Sequence, residues 1–86
     1  MTTTPSDDVA IVATLDTSGL LCPLPVYKAA LALQPLASGE VLELICTDPG
    51  SLADIPAMVR QRGDELLDTN QTDTTQVFLI RKGASL

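Results

Sequence analysis

The sequence predicts an α+β two-layer sandwich in the order β-α-β-α-β-β, with two helices packed on one face of a four-stranded mixed sheet. Three observations lead there. Runs of β-branched residues and leucine with two-residue alternation take turns with alanine- and leucine-rich stretches of helical spacing. Gly, Pro, Asp and Ser clusters separate these runs without leaving room for a linker, and no internal repeat is present. Finally, 86 residues that are 45% hydrophobic and 19% charged suffice for one core and exclude a two-domain enzyme.

Residues 1–8 are polar, carry Pro5 and two aspartates, and are expected as a flexible N-terminal tail before a single domain spanning 9–86. Val9 to Asp16 reads as the first strand, with Val9, Ile11, Ala13 and Leu15 on one face. Asp16-Thr17-Ser18-Gly19 is a turn in which Gly19 can take the positive φ that a branched side chain resists. From Pro23 to about Leu36 the composition is helical, with Val26, Ala30, Leu33 and Ala37 as the core stripe. Leu24, Tyr27 and Leu31 form a second apolar row beside it. Glu40 to Thr47 is the second strand: Leu42, Leu44 and Cys46 share the inner face, and Glu43 marks the wetter one. After the turn Asp48-Pro49-Gly50-Ser51, either Ser51 or Asp54 can cap a second helix that runs to about Arg62. Pro56 is tolerated there only in the first turn, and Gly63 is a natural stop. Glu65 to Thr69 and Gln76 to Lys82 close the fold as a hairpin across Asn70 to Thr75.

Composition narrows the chemistry. There is no histidine, so Ser-His-Asp and Cys-His catalysis and imidazole metal sites are excluded. One Phe, one Tyr and no Trp leave no stacking platform for bases. A formal charge of -6 opposes phosphate backbones and anionic lipid, so direct nucleic-acid binding is not expected. Two cysteines make neither a disulfide framework nor a four-thiolate zinc site, and no metal is expected. No apolar run of about 18 residues is present, and the N-terminus lacks the basic and apolar regions of a signal peptide. The expectation is a cytoplasmic protein that is not membrane-embedded.

Chemistry concentrates at Gly19-Leu20-Leu21-Cys22-Pro23-Leu24-Pro25. Proline is favoured at the first helical position, so Pro23 would put Cys22 at the N-cap, with Pro25 still in the first turn. A thiol there meets the positive end of the helix dipole and unpaired N–H groups, the amide of Leu24 foremost, which lowers its pKa from about 8.5 and favours the reactive thiolate. The competing reading is an inert buried cysteine, the common fate of a lone Cys in apolar surroundings.

On these residues the sequence resembles the TusA-like sulfur carriers, also called the SirA/YeeD family, whose hallmark CPxP motif matches Cys22-Pro23-Leu24-Pro25. The resemblance extends over roughly residues 15 to 83, through Leu15-Asp16, Gly19-Leu20, Gly39-Glu40, Asp48-Pro49-Gly50-Ser51, Asp54-Ile55-Pro56, Gly63 and Leu79-Ile80-Arg81-Lys82-Gly83. It implies a two-layer sandwich whose cysteine, here Cys22, holds sulfane sulfur as a persulfide and hands it to a partner's thiol. At most this is a sulfurtransferase acting through a covalent persulfide, with no cofactor. The partners implied are donor and acceptor proteins that are rhodanese-like, desulfurase or DsrE-like, together with a thiosulfate transporter. The pathways implied are tRNA thiolation, molybdenum-cofactor assembly, oxidative sulfur metabolism and thiosulfate uptake. Two departures bear on partner choice: Asp64 stands where many members have histidine, and Thr47-Asp48 where many have paired aspartates.

The chemistry of these residues agrees with such a role, since a carrier needs an accessible thiolate that both attacks and leaves well, and no general base. Gly19, Pro23, Leu24 and Pro25 are the positioning residues. Tyr27, Lys28 and Leu31 are candidates for partner docking, with core packing the alternative for the apolar row that Leu24 begins. Lys28, Arg60, Arg62, Arg81 and Lys82 are the whole basic complement, the last two ending the final strand; any that lay near Cys22 would stabilise a persulfide anion, and otherwise they are solvated rim charges. Asp48 and Asp54 read as turn and cap residues, because a carboxylate beside the thiol would raise its pKa. Cys46 reads as core, against the alternative of a resolving thiol for Cys22, which needs Cα atoms within about 7 Å. Two other classes compete: an accessory or regulatory module that binds a transporter or sulfurtransferase without carrying sulfur, and a thiol redox enzyme, disfavoured by the lack of a C-x-x-C pair.

Overall fold

The computed structural model describes residues 11–84. The tail expected over 1–8 and Val9 at the head of the first strand lie outside the described residues. The elements are β1 (Ile11–Asp16), α1 (Leu24–Leu33), β2 (Val41–Cys46), α2 (Ser51–Arg62), β3 (Glu65–Gln71) and β4 (Gln76–Arg81). The expected order is thereby met, with strand order β1-β2-β4-β3 in the sheet. A parallel pair needs a long crossover, and α1 supplies it between β1 and β2, where Leu15 stands opposite Leu44. The β3–β4 connection is a short hairpin, so β4 runs antiparallel to both β3 and β2, with Phe78 opposite Leu44 and Gln76 opposite Cys46.

One face of the sheet carries the core. Leu42, Leu44 and Cys46 of β2 and Phe78 and Ile80 of β4 are fully buried beneath Ala29 and Leu33 of α1 and Ile55, Met58 and Val59 of α2. The α1 stripe differs from the expected one. Pro25, Ala29 and Leu33 are its buried residues, Val26 and Ala30 are half-buried, and Ala37 is exposed beyond the helix end. Alanines at neighbouring positions made two adjacent stripes almost equally apolar, so periodicity alone could not separate them. Across the sheet, Glu43, Ile45, Val77 and Leu79 are half-buried, and the Thr14 hydroxyl donates to Glu43 at 3.1 Å, the wetter face expected.

Helix α2 corrects three details. Its N-cap is Gly50, and no side chain caps it. Ser51 is buried with its hydroxyl unpaired among the described residues, and Asp54 turns elsewhere. Pro56 is the sixth helical residue rather than a first-turn one. An interior proline removes a hydrogen bond and costs about 3 kcal/mol, which the burial of Ile55, Met58 and Val59 around it offsets. Gly63 ends the helix as expected, at φ 82°, with the Asp64 amide donating to Val59 O at 3.0 Å.

Because β1 and β2 are parallel, the loops that follow them leave from the same end of the sheet, where both helices begin. Because β4 is antiparallel to β2, its last residue Arg81 pairs with Val41 at the opposite end.

Candidate functional site

The site forms where the loop after β1 meets the loop after β2. Thr17 anchors the first: it is fully buried, its amide donates to Ile45 O at 2.8 Å, and its hydroxyl lies 2.6 Å from the same oxygen and 3.4 Å from Cys46 Sγ. Gly19 follows at φ 83°, and its amide donates to Thr47 Oγ1 at 2.9 Å, which stitches the two loops together. The chain then passes over the sheet edge to Cys22, which is exposed and carries a free thiol.

Two carboxylates hold Cys22. Its backbone N–H donates to Asp48 Oδ2 at 2.7 Å, and its thiol donates to Asp54 Oδ2 in the first turn of α2. Asp48 is itself fixed, since its other oxygen takes the Gly50 amide at 3.1 Å. Oriented to satisfy its neighbours, the buried amide of Gln76 donates to the carbonyls of Cys46 and Asp48 at 3.2 and 3.1 Å. The Cys22–Pro23 peptide is cis.

This geometry overturns the expected N-cap thiolate. The N-cap of α1 is Pro23, and the Leu24 amide, expected to face the sulfur, donates to Leu21 O at 2.9 Å. The sulfur points to α2, where the hydrogen bond to Asp54 is the main cause that pushes its pKa up, joined by desolvation and by the charges of Asp54 and Asp48. Free Cys22 is therefore held as a thiol. Asp48 moves the opposite way: the amides of Cys22 and then Gly50, donated to its carboxylate, hold it below the usual carboxylate range.

A groove of about 360 Å³ opens from the sulfur between the helices, lined by Pro23, Val26 and Tyr27 of the α1 segment and Asp54, Ala57, Met58 and Gln61 of α2. The α2 lining follows i, i+3, i+4, i+7 spacing, so it is one face of that helix. Asp54 is the residue that sequence reasoning placed wrongly, and this spacing was the signal that sets it beside Ala57, Met58 and Gln61.

Of the two readings for the apolar row on α1, exposure holds: Leu24 is 46%, Tyr27 61% and Leu31 64% exposed. Leu21, which sequence reasoning passed over, continues the row past the cysteine at 70%. Lys28 is exposed beside Tyr27. Arg81 and Lys82 are not brought to Cys22. Arg81 pairs with Glu65 at 3.1 Å, and Lys82 Nζ donates to the carbonyls of Leu33, Gln34 and Leu36 at 2.8, 3.1 and 3.1 Å, capping the far end of α1. The length of β2 separates these cations from the site by roughly 17 Å. Asp64 is also remote from the sulfur in role: its nearly buried carboxylate takes Arg62 Nε at 2.8 Å and the Gly83 amide at 2.9 Å, clasping the end of β4 to the end of α2. Cys46 is fully buried, as the core reading expects. Among the described residues no three His, Cys, Asp or Glu side chains cluster for a metal, and no helix is long and apolar enough to cross a membrane.

Comparison with known proteins follows the same outline. The family described as Sulfurtransferase TusA matches residues 13–82. The chain is similar to the sulfur carrier protein TusA of Allochromatium vinosum, 46% identical over 68 residues that cover 79% of this chain and 90% of that one. It is likewise similar to the sulfur carrier protein TusA of Pseudomonas entomophila, 43% identical over 72 residues, 84% of this chain and 90% of the other. The crystal structure of a SirA-like protein from Desulfitobacterium hafniense superposes with a TM-score of 0.74 at 25% identity, covering 85% of this chain and all of that one.

Proposed function

Because the chain belongs to the TusA family of sulfur carriers, we propose that Cys22 carries sulfane sulfur as a persulfide and transfers it to the thiol of a partner protein. The observation that carries this reading is the placement of Cys22: an exposed, unbridged thiol at the mouth of an apolar groove, on a loop pinned at its backbone rather than buried.

Loading follows thiol exchange chemistry. The Cys22 thiol gives its proton to water, and the thiolate so formed attacks the outer sulfur of a donor persulfide; a new S–S bond forms at Cys22, the donor S–S bond breaks, and the donor leaves as thiolate. In delivery the acceptor thiolate attacks the outer sulfur on Cys22, which departs as thiolate and regains a proton. No electrons leave the pair, and no cofactor is needed. The donors and acceptors that suit this chemistry are rhodanese-like, desulfurase or DsrE-like proteins. Gly19, Pro23, Leu24 and Pro25 set the position of the sulfur, and the exposed row of Leu24, Tyr27 and Leu31, with Lys28 beside it, is the docking face.

The test is mass spectrometry of the intact protein after incubation with polysulfide, or with thiosulfate and a rhodanese. The expected result is a gain of one sulfur atom that reductant removes and that Cys22→Ala lacks. An unmodified Cys22 with both donors overturns the proposal.

A further inference from the structure

Resting on the reading of Cys22 as the sulfur-exchange residue, we propose that Asp54 determines which partners exchange with it, favouring those that bring a positive charge to the reacting sulfur and slowing those that bring a negative one. The Asp54 carboxylate touches the sulfur itself, and Asp48 holds the amide of the same residue at 2.7 Å. Among the described residues no cation lines the groove: apart from Asp54 its lining is uncharged, and Lys28 and Arg60 are exposed outside it. Arg62 and Arg81 are paired with Asp64 and Glu65, and Lys82 sits on the carbonyls at the other end of α1.

Every exchange at Cys22 brings a second sulfur, with partial negative charge in the transition state, into bonding range of the sulfur that this carboxylate touches. A partner that carries a cation beside its own sulfur relieves the repulsion, and a partner that carries an anion adds to it. At about 5 Å in a water-like dielectric, one carboxylate separates a cationic from an anionic group beside the reacting sulfur by about tenfold in rate. The protein partner implied is one with Arg or Lys next to its reactive cysteine.

Three symmetric disulfides test this on the intact chain: cationic cystamine, neutral 2-hydroxyethyl disulfide and anionic dithiodiglycolate. In each, the Cys22 thiolate forms a mixed disulfide and one half of the reagent leaves as thiolate. Both charged rates come from one thiol, so its ionisation cancels in their ratio. Normalised to the same ratio for N-acetylcysteine amide, the cation-to-anion ratio is expected to be about tenfold, and to fall toward one at about 1 M salt, where the Debye length is about 3 Å. Asp54→Asn is expected to lower the preference several-fold and Asp54→Glu to keep its sign, with the neutral reagent reporting any change in access. A normalised ratio of one in the unaltered protein, or one unchanged in Asp54→Asn or by salt, overturns the proposal. Polysulfide loading of the same preparations separates the two ideas: selectivity without loading leaves Asp54 its role and removes the carrier reading, and loading without selectivity does the reverse.

Discussion

The carboxylate of Asp48 accepts the backbone amide of Cys22 at 2.7 Å, so the loop after β2 fixes where the loop after β1 presents its sulfur. Gln76 extends the restraint by holding the Asp48 carbonyl from β4. Three elements of the sheet thus position one exposed thiol, through a backbone contact that does not use the sulfur.

The ionisation of Cys22 has a definite sign. The hydrogen bond to Asp54 favours the neutral thiol, so its folded pKa lies above its unfolded one. The stabilisation this brings is complete below the unfolded value and is lost as pH rises through the folded value. Iodoacetamide alkylation is expected to keep accelerating above about pH 8.5, where an ordinary cysteine is half-ionised. Asp54→Asn shifts the midpoint to lower pH; an unshifted profile contradicts the assignment.

The exposed row on α1 can be separated from the chemistry. Tyr27→Ala and Leu31→Ala remove side chains that are 61% and 64% exposed, so the fold and polysulfide loading should be unchanged. Loading by a rhodanese-like protein donor should slow by about tenfold, as expected for an apolar anchor. Equal slowing with polysulfide would place these residues in the reaction rather than in docking.

At the opposite end, Asp64 and Gly83 form a closure. A Cβ on Gly83 would clash with the carbonyl oxygen of Gly63, so Gly83→Ala forces a backbone shift worth about 1–3 kcal/mol. Asp64→Ala leaves the Gly83 amide and Arg62 without their acceptor and costs a similar amount, about 1–3 kcal/mol. Thermal denaturation reads both effects, and Cys22 alkylation should not change in either variant.

Lys82 is a helix cap. Its ammonium meets three carbonyls at the C-terminus of α1, where both hydrogen bonding and the helix dipole favour a cation. Lys82→Met should cost about 1 kcal/mol in a urea titration while sulfur loading proceeds as before. Impaired loading in a fully folded variant would return Lys82 to the site.

Much of this was legible in the sequence because local chemistry and fold agree. The alternation of Leu42, Leu44 and Cys46 fixed the inner face of β2, and the glycines at 19 and 63 sit at positive φ as turn and helix stop. What sequence could not supply was the angle at which the Cys22 loop meets α2. A cysteine followed by proline reads locally as an N-cap, yet the tertiary partner of the sulfur is Asp54, 32 residues away. The remoteness of Lys82 was within reach, since a final strand antiparallel to β2 must end where β2 begins.

Cys46 gives the last prediction. Its sulfur is fully enclosed beneath the helices and hydrogen-bonded with Thr17, so native protein should show a single alkylated cysteine, with the second reacting only on unfolding. Cys46→Ala is expected to cost about 1–2 kcal/mol and leave loading intact.

That enclosure also governs time. On the proposed reading, no neighbouring thiol can discharge a loaded Cys22 from within, so its cargo departs only on collision with another molecule. The lifetime of the charged form is then set by its surroundings, shortening in proportion as acceptors accumulate, and the chain serves as a small reservoir whose emptying rate reports local demand.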